Sequence, residues 1–392
     1  MKPAASGPVR IAPRVAIVSD AIFPYNKGGK EVRYHEIGRR LVASGVRVDV
    51  YSMHWWDDDA KSIEIDGVWF HALCKNHALY SGSRRSIRQA LWFSLACLRL
   101  LGRRFDVIEA DHMPYLPLFA LRVVATLKRR QLVVTWHEVW GHRYWVEYLG
   151  FAGRIAAMLE LFAMRLPNLI VADVQETADR LHACGVAPSR VVVVPIGVDA
   201  AAISAVPRGD RHFDVVCVGR LLEHKRVNVL IAALADQRAR GNVLTCAVVG
   251  EGPECDALAW QVRELGIEDQ VSFFGRVELH ADVWALMKSS TVLALPSVRE
   301  GFGIVVLEAI AAGASVVTSD HEDNQARSLV DDGITGVVCA SEPIAFGESL
   351  ARLVREPLAI MDVRDDVLKS FDWAAIIASL QDIYAKKSRV AA

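Results

Sequence analysis

Along most of the chain, short apolar runs rich in β-branched residues alternate with longer stretches whose apolar positions recur at helical spacing. In the first half, 15–19, 46–51, 68–72, 107–110, 132–136, 169–171 and 191–194 read as strands. Helical stretches fall between them, around 30–44, 84–103, 115–129, 153–166 and 175–184. After Pro195-Ile196-Gly197-Val198-Asp199 comes a polar link, Pro207-Arg208-Gly209-Asp210-Arg211. A second series follows, with strands at 213–218, 244–249, 271–274, 291–295, 315–318 and 336–339. Apolar strands separated by helices imply parallel sheets covered on both faces. The pattern therefore predicts an α/β protein of two doubly wound, Rossmann-like domains, 1–205 and 206–372. An amphipathic helix from Trp373 to Tyr384 follows the second series. Open parallel sheets bind ligands outside the carboxyl ends of their strands, so two facing sheets place a site in the cleft between them.

The segment Pro296-Ser297-Val298-Arg299-Glu300-Gly301-Phe302-Gly303-Ile304-Val305-Val306-Leu307-Glu308 carries two carboxylates eight residues apart, between an expected strand and an apolar helix. Eight helical positions return almost to the same azimuth, so both can face one cleft. Gly301 and Gly303 leave room for an anion at the helix N-terminus. Glu308 stands among apolar neighbours on every side, and a buried carboxylate needs a partner. The plainer alternative makes both glutamates solvated. Acidic side chains beside an anion-binding helix start suit a molecule with hydroxyls and phosphates, such as a nucleotide sugar.

Further candidates stand at other strand ends. Arg220 and Lys225 follow Gly219 after the first strand of the second domain, where fixed cations can stabilise a departing diphosphate. Gly28-Gly29 open the first helix, either as a tight turn or for close backbone approach to a ligand. His137 closes the strand 132–136 beside Glu138, and His112 has a similar position after Asp111. Gly250-Glu251-Gly252 begins like a dinucleotide fingerprint, but Pro253 and Cys255 break it, which argues against NAD. Trp136, Trp140, Tyr144, Trp145 and Tyr148 crowd the segment around His137, either as a sugar- or lipid-binding surface or as a lid packed on its own helix. The stretch from Arg84 to Arg104 brackets an apolar run holding Trp92 and Phe93 with cations. Such a helix rests on anionic lipid or buries its apolar side in its own domain.

Charge and composition exclude more than they select. Lys and Arg number 45 against 46 Asp and Glu, so nothing global favours nucleic acid. Seven scattered cysteines without a Cys-x-x-Cys pair read as reduced thiols of a cytoplasmic protein. Residues 1–13 lack the apolar core of a secretory signal, and no run is long enough to span a membrane. Asp57-Asp58-Asp59 falls in an expected loop, as a solvated turn, not a metal cage.

The Glu-x7-Glu segment resembles the signature of retaining glycosyltransferases of the two-domain GT-B fold, in family 4, also called group 1. Gly28-Gly29-Lys30-Glu31, Gly45 to Val50, Val218 to Leu221 with Lys225, Val249 to Pro253 and Phe274 to Val277 resemble the family's other landmarks in order. The resemblance implies transfer of a sugar from a UDP- or GDP-sugar to a glycan or lipid-linked acceptor, with no metal or other cofactor. It implies ribose contact by Glu308, sugar-hydroxyl contact by Glu300, and main-chain contacts to the sugar at Phe302, Gly303, Ile304 and Val305. Arg220 and Lys225 become the diphosphate pair. Gly29, Gly219 and Gly250 border the donor, Arg276 and Val277 the base, and His137 the reacting sugar. The final helix, 373–392, is expected to pack back on the first domain. The family often has a Ser after the strand near 170, where this chain reads Ala172-Asp173-Val174-Gln175-Glu176-Thr177. Rival expectations are a phosphorylase or epimerase on the same scaffold, and a non-catalytic nucleotide-sugar binder.

Overall fold

The computed structural model describes residues 13–26, 28–81 and 84–385. They divide into two compact units. One holds the chain up to Pro195 and again from Ile376, and the other is Ile196–Ala375.

In the first unit the strands are β1 (Arg14–Val18), β2 (Arg47–His54), β3 (Ser62–Ile65) and β4 (Val68–Lys75). A two-residue pair stands apart from the sheet, β5 (Tyr80–Ser81) with β6 (Arg84–Arg85). Then come β7 (Val107–Asp111), β8 (Gln131–Trp136), β9 (Leu169–Ala172) and β10 (Val191–Val193). The sheet order is β10-β9-β8-β7-β1-β2-β4-β3. Pairing is parallel except for β3, which lies antiparallel on β4 at the edge. The pattern reading lacked β3. Its four residues are too short for a clear alternation, and the informative mark is the two-residue hairpin turn Asp66-Gly67.

One face of this sheet carries the helices Ile87–Cys97, Leu116–Lys128 and Ala152–Ala163. Phe93, Leu118, Leu121 and Trp136 are buried between helices and sheet. The helix expected over 84–103 starts only at Ile87, where the Ser86 hydroxyl accepts from the Gln89 N–H at 3.3 Å, and tightens to a 3₁₀ turn over Leu98–Gly102. A helix at Gly141–Leu149, absent from the pattern reading, precedes Ala152–Ala163. The last helix is Trp373–Ala385, and from Ile376 it groups with the first unit. There the buried Tyr384 hydroxyl donates to Glu109 at 3.2 Å. Residues 1–12 and 386–392, which fall in the expectations for both termini, lie outside the described residues.

The second unit is a six-stranded parallel sheet of β11 (Phe213–Val218), β12 (Cys246–Val249), β13 (Val271–Gly275), β14 (Ser290–Leu295), β15 (Ser315–Ser319) and β16 (Gly336–Cys339). Its order is β13-β12-β11-β14-β15-β16. Residues 196–205 group with this unit. Their short helix, Ala200–Ala205, is capped by the Asp199 carboxylate, and Lys288 Nζ donates to the Ser204 carbonyl at 2.8 Å.

Chain direction across the sheet reverses between β11 and β14 in one unit and between β1 and β7 in the other. At such a switch point the flanking loops part and leave a crevice at the strand ends. Among the described residues no helix is long and apolar enough to cross a membrane, and all seven cysteines are free.

Candidate functional site

Arg220, Lys225 and Glu300 lie at the β11/β14 switch point, while Gly250 follows β12, Arg276 and Val277 follow the edge strand β13, and in the other unit Gly29 follows β1 and His137 follows β8. In the second unit β11 and β14 are neighbours, so the loops after them leave the sheet side by side. The Val298 N–H donates to the His224 carbonyl at 2.9 Å and ties the loops together. Lys225 Nζ then reaches Glu300 Oε1 at 2.5 Å, an ion pair between residues 75 apart in sequence. Both side chains are largely withdrawn from water. Beside them opens a shallow hollow lined by Gly219, Arg220, Lys225 and Ser297. Ser297 is fully buried, and its hydroxyl has no hydrogen-bond partner among the described residues. A buried donor left unsatisfied in the free protein is costly unless a ligand completes it. The sequence reading did not single out Ser297. Its neighbour Pro296 and its place at a strand's carboxyl end were the available signals.

Gly303 turns the chain from this loop into the helix Ile304–Ala312 at φ 79°, and an added Cβ would meet that of Ala326 at 2.3 Å. No side chain caps the helix start, and the Val306 N–H donates to the Gly303 carbonyl at 2.9 Å, so an anion would meet the N–H groups that precede it. Phe302 is buried, with its ring 6.3 Å from that of Phe371, while Ile304 and Val305 are half-buried.

The eight-residue return argument does not carry over to Glu300, because the left-handed turn at Gly303 separates it from the helix. Each glutamate has its own partner. Trp284 Nε1 donates to Glu308 Oε1 at 3.0 Å. Burial pushes the Glu308 carboxyl up to about 7, and the Trp284 N–H offsets only part of that. Trp284, twenty-four residues away, was not legible as a partner.

The second glycine loop approaches the first. A Cβ on Gly250, at φ 140°, would lie 1.8 Å from the Gly219 carbonyl oxygen. Side-chain-free backbone is therefore required where the loops after β11 and β12 meet. Arg276 is exposed and paired with Glu278 at 3.0 Å, and Val277 is half-buried.

In the first unit the ends of β1, β7, β8 and β9 enclose a network of charges. Gly29 opens the helix Gly29–Ala43, and the next residue, Lys30, donates to Asp20 at 2.9 Å and to the Met113 carbonyl at 3.1 Å. His137 Nε2 donates to Asp111 at 3.0 Å, while its Nδ1 donates to Asp173. Burial alone would lower the pKa of this imidazole, yet Asp173 and Asp111 on either side raise it to about 10. His137 is therefore an imidazolium at neutral pH and offers no lone pair. Burial would raise the Asp111 pKa, but Lys30 and His137 hold it well below the usual carboxylate range. Arg33, almost wholly buried, stands 3.6 Å from Asp173 and donates to Thr135 at 3.1 Å.

His112 is buried against Trp136, with its Nδ1 3.4 Å from Asp111. Asp111, His112 and His137 form a group close enough for a metal ion. The donor set fits a metal poorly, because both nitrogens of His137 already bind carboxylates and Lys30 faces Asp111. Asp57, Asp58 and Asp59 are exposed in a loop.

The aromatic segment packs on itself. Trp136 is fully buried in the core, and the rings of Trp140, Tyr144, Trp145 and Tyr148 touch one another. The buried Glu160 gathers them, accepting from Trp145 Nε1 at 3.0 Å and from the Trp140 N–H at 2.9 Å.

Comparison with known proteins bears on the whole chain. The family described as "Glycosyltransferase Family 4" matches residues 27–202, and "Glycosyl transferases group 1" matches 202–367. The chain belongs to the family 4, group 1 glycosyltransferases. Glycogen synthase of Mycobacterium tuberculosis is 29% identical over 299 residues, covering 73% of this chain and 70% of that protein. D-inositol 3-phosphate glycosyltransferase of Corynebacterium aurimucosum is 30% identical over 241 residues, 55% of this chain and 56% of that one. Among solved structures, sucrose-phosphate synthase from Thermosynechococcus elongatus matches with TM-score 0.78 at 18% identity, covering 97% of this chain and all of that one. Anabaena HepE, solved with UDP and glucose, matches with TM-score 0.71 at 20% identity, over 95% and 99% of the two chains. At these identities the structures establish the fold of this glycosyltransferase, GT-B, and no more.

Proposed function

We propose that this glycosyltransferase moves a sugar, with retention of configuration, from a nucleotide-activated donor to a hydroxyl of a glycan or lipid-linked acceptor. The observation that carries the reading is the hollow at the β11/β14 switch point, where Arg220, Lys225 and an unsatisfied Ser297 hydroxyl stand beside an uncapped helix. That is a receptor for a diphosphate. That structural neighbours of the same fold were solved with UDP and glucose and with UDP-glucose supports a nucleotide sugar.

In this reading Arg220 and Lys225 stabilise the charge that grows on the diphosphate as the glycosidic bond breaks. Glu300, already paired with Lys225, accepts from sugar hydroxyls and holds the ammonium in place. The carboxylate of Glu308 accepts from the ribose hydroxyls. Backbone N–H groups from Phe302 to Val305 fix the sugar, and Gly29, Gly219 and Gly250 let backbone approach the donor. Arg276 and Val277 border the base. His137 contributes positive charge and not a base, because Asp111 and Asp173 hold its protons. With these cations in place no metal ion is needed. The reaction is assigned to the cytoplasmic side of the membrane, where nucleotide sugars meet lipid-linked acceptors.

Thermal stabilisation by a panel of UDP- and GDP-sugars tests the reading, since a ligand of the native state raises its midpoint. The matching donor is then offered with acceptors, and the anomeric configuration of the product is read by NMR. Phosphate-dependent sugar release without any nucleotide would replace the reading with a phosphorylase, and an inverted product would remove retention.

A further inference from the structure

Two helices on the same face of the first unit's sheet have outer sides unlike those of ordinary surface helices. Over 87–104 the exposed large residues are Ile87, Leu91, Trp92, Leu95, Leu98 and Leu101. The other exposed side chains there are Arg88, Arg99, Arg103 and Arg104, with no acid among them. The inner side of the same segment is also apolar, with Phe93, Cys97 and Leu100 in the core. A helix apolar on both sides is covered on both.

The pattern recurs on Ala152–Ala163 and its flanks. There Phe151, Ile155, Met158, Leu161 and Phe162 are exposed, Phe151 to 78%. The remaining exposed side chains are Ala152, Arg154 and Arg165, and the one acid, Glu160, is buried beneath the aromatic cluster. By contrast, the outer side of Cys255–Glu264 mixes signs in the usual way, with Asp256, Arg263 and Glu264. The inner residues of both unusual helices share one core on one face of the sheet, so their outer sides belong to one layer. Val123 and Leu127, on the outer side of Leu116–Lys128 in that layer, extend the apolar surface.

We infer that the outer face of this helical layer docks on an anionic lipid bilayer. Leucine, isoleucine, phenylalanine and tryptophan would sink to the acyl boundary, with arginine at headgroup level. Charge decides among occupants. A second copy meeting this face across a two-fold axis would set arginine against arginine. A lipid surface carrying phosphates offers the missing negative charge over both helices at once. The inference deepens the membrane-side reading above by naming the surface. It also places the glycosyltransferase where a lipid-linked hydroxyl would be presented.

The test is flotation of the full chain with phosphatidylcholine vesicles, with and without phosphatidylglycerol. Binding is expected only to the anionic vesicles and should weaken as salt is raised. Leu91→Glu with Leu95→Glu, and separately Ile155→Glu with Phe162→Glu, should each reduce partitioning at least about tenfold, since a carboxylate replaces exposed apolar contact with lipid. The milder Arg88→Gln and Arg154→Gln should each weaken it about fivefold, the loss of one cation near a charged surface. Donor-dependent thermal stabilisation, measured on the same variants, should stay unchanged. It also separates failure of docking from failure of the donor-site reading. Equal binding to neutral and anionic vesicles, unaltered flotation of all variants, or self-association that the glutamate variants abolish without vesicle binding would each overturn the inference.

Discussion

Replacing Glu308 by glutamine separates the cost of holding a carboxylate in the second unit from its use. In the folded protein burial raises this carboxyl from its ordinary value of 4.5 to about 7. Below pH 4.5 both folded and unfolded states are protonated and the residue costs nothing. Between 4.5 and 7 the unfolded chain releases its proton first, so stability falls as pH rises, and above 7 the full cost is present. The gap between the two values corresponds to about 3 kcal/mol. Glu308 is half-buried, so residual water makes that figure a ceiling. Glu308→Gln should therefore stabilise the free protein at pH 8 by up to about 3 kcal/mol and hardly at all at pH 4.5. Donor binding should respond in the opposite sense. An amide cannot present two anionic acceptors to vicinal hydroxyls, so affinity at pH 8 should fall by roughly 1.5–3 kcal/mol. Wild-type affinity should decline below about pH 7, while that of the variant stays flat. Denaturation at the two pH values and calorimetric titration with the donor provide both readouts. A folded variant with unchanged donor affinity at pH 8 would refute the ribose assignment. Equal stability differences at pH 4.5 and 8 would refute the burial argument.

Lys225→Ala should lower turnover by about 10²–10³ while changing donor affinity much less, because charge on the diphosphate grows in the transition state; normal turnover at saturating donor would remove Lys225 from the mechanism. His137, raised to about 10 between Asp111 and Asp173, should show no titration by NMR between pH 5.5 and 8.5. Its stabilising contribution is complete below its ordinary value of 6.5 and is lost only as pH climbs through 10, so a midpoint near neutrality would contradict the double ion pair. Initial rates should persist in excess chelator; a rate that collapses and returns with a divalent ion would turn attention to Asp111, His112 and His137.

The alternation of apolar runs and helical stretches was enough to determine two doubly wound parallel sheets, since strands buried on both faces leave that pattern. The glycines at Gly219, Gly250 and Gly303 were legible too, because sharp turns and close backbone approach exclude most side chains. Local sequence missed β3, whose few residues are held by pairing to β4 and not by their own periodicity. It also missed the helix Gly141–Leu149, whose aromatic residues looked equally like a binding surface until the buried Glu160 was seen to gather them. Partners distant in sequence were beyond it altogether. Lys225 meets Glu300 because β11 and β14 are neighbours in the sheet, and Glu308 meets Trp284 because two helices pack together. His137 looked like a lone strand-end histidine, and only the convergence of β7, β8 and β9 sets a carboxylate on each side of it. Residue type and spacing along one element thus determined which groups stand at strand ends. Strand order, which brings remote ends together, decided their partners and with them their charge.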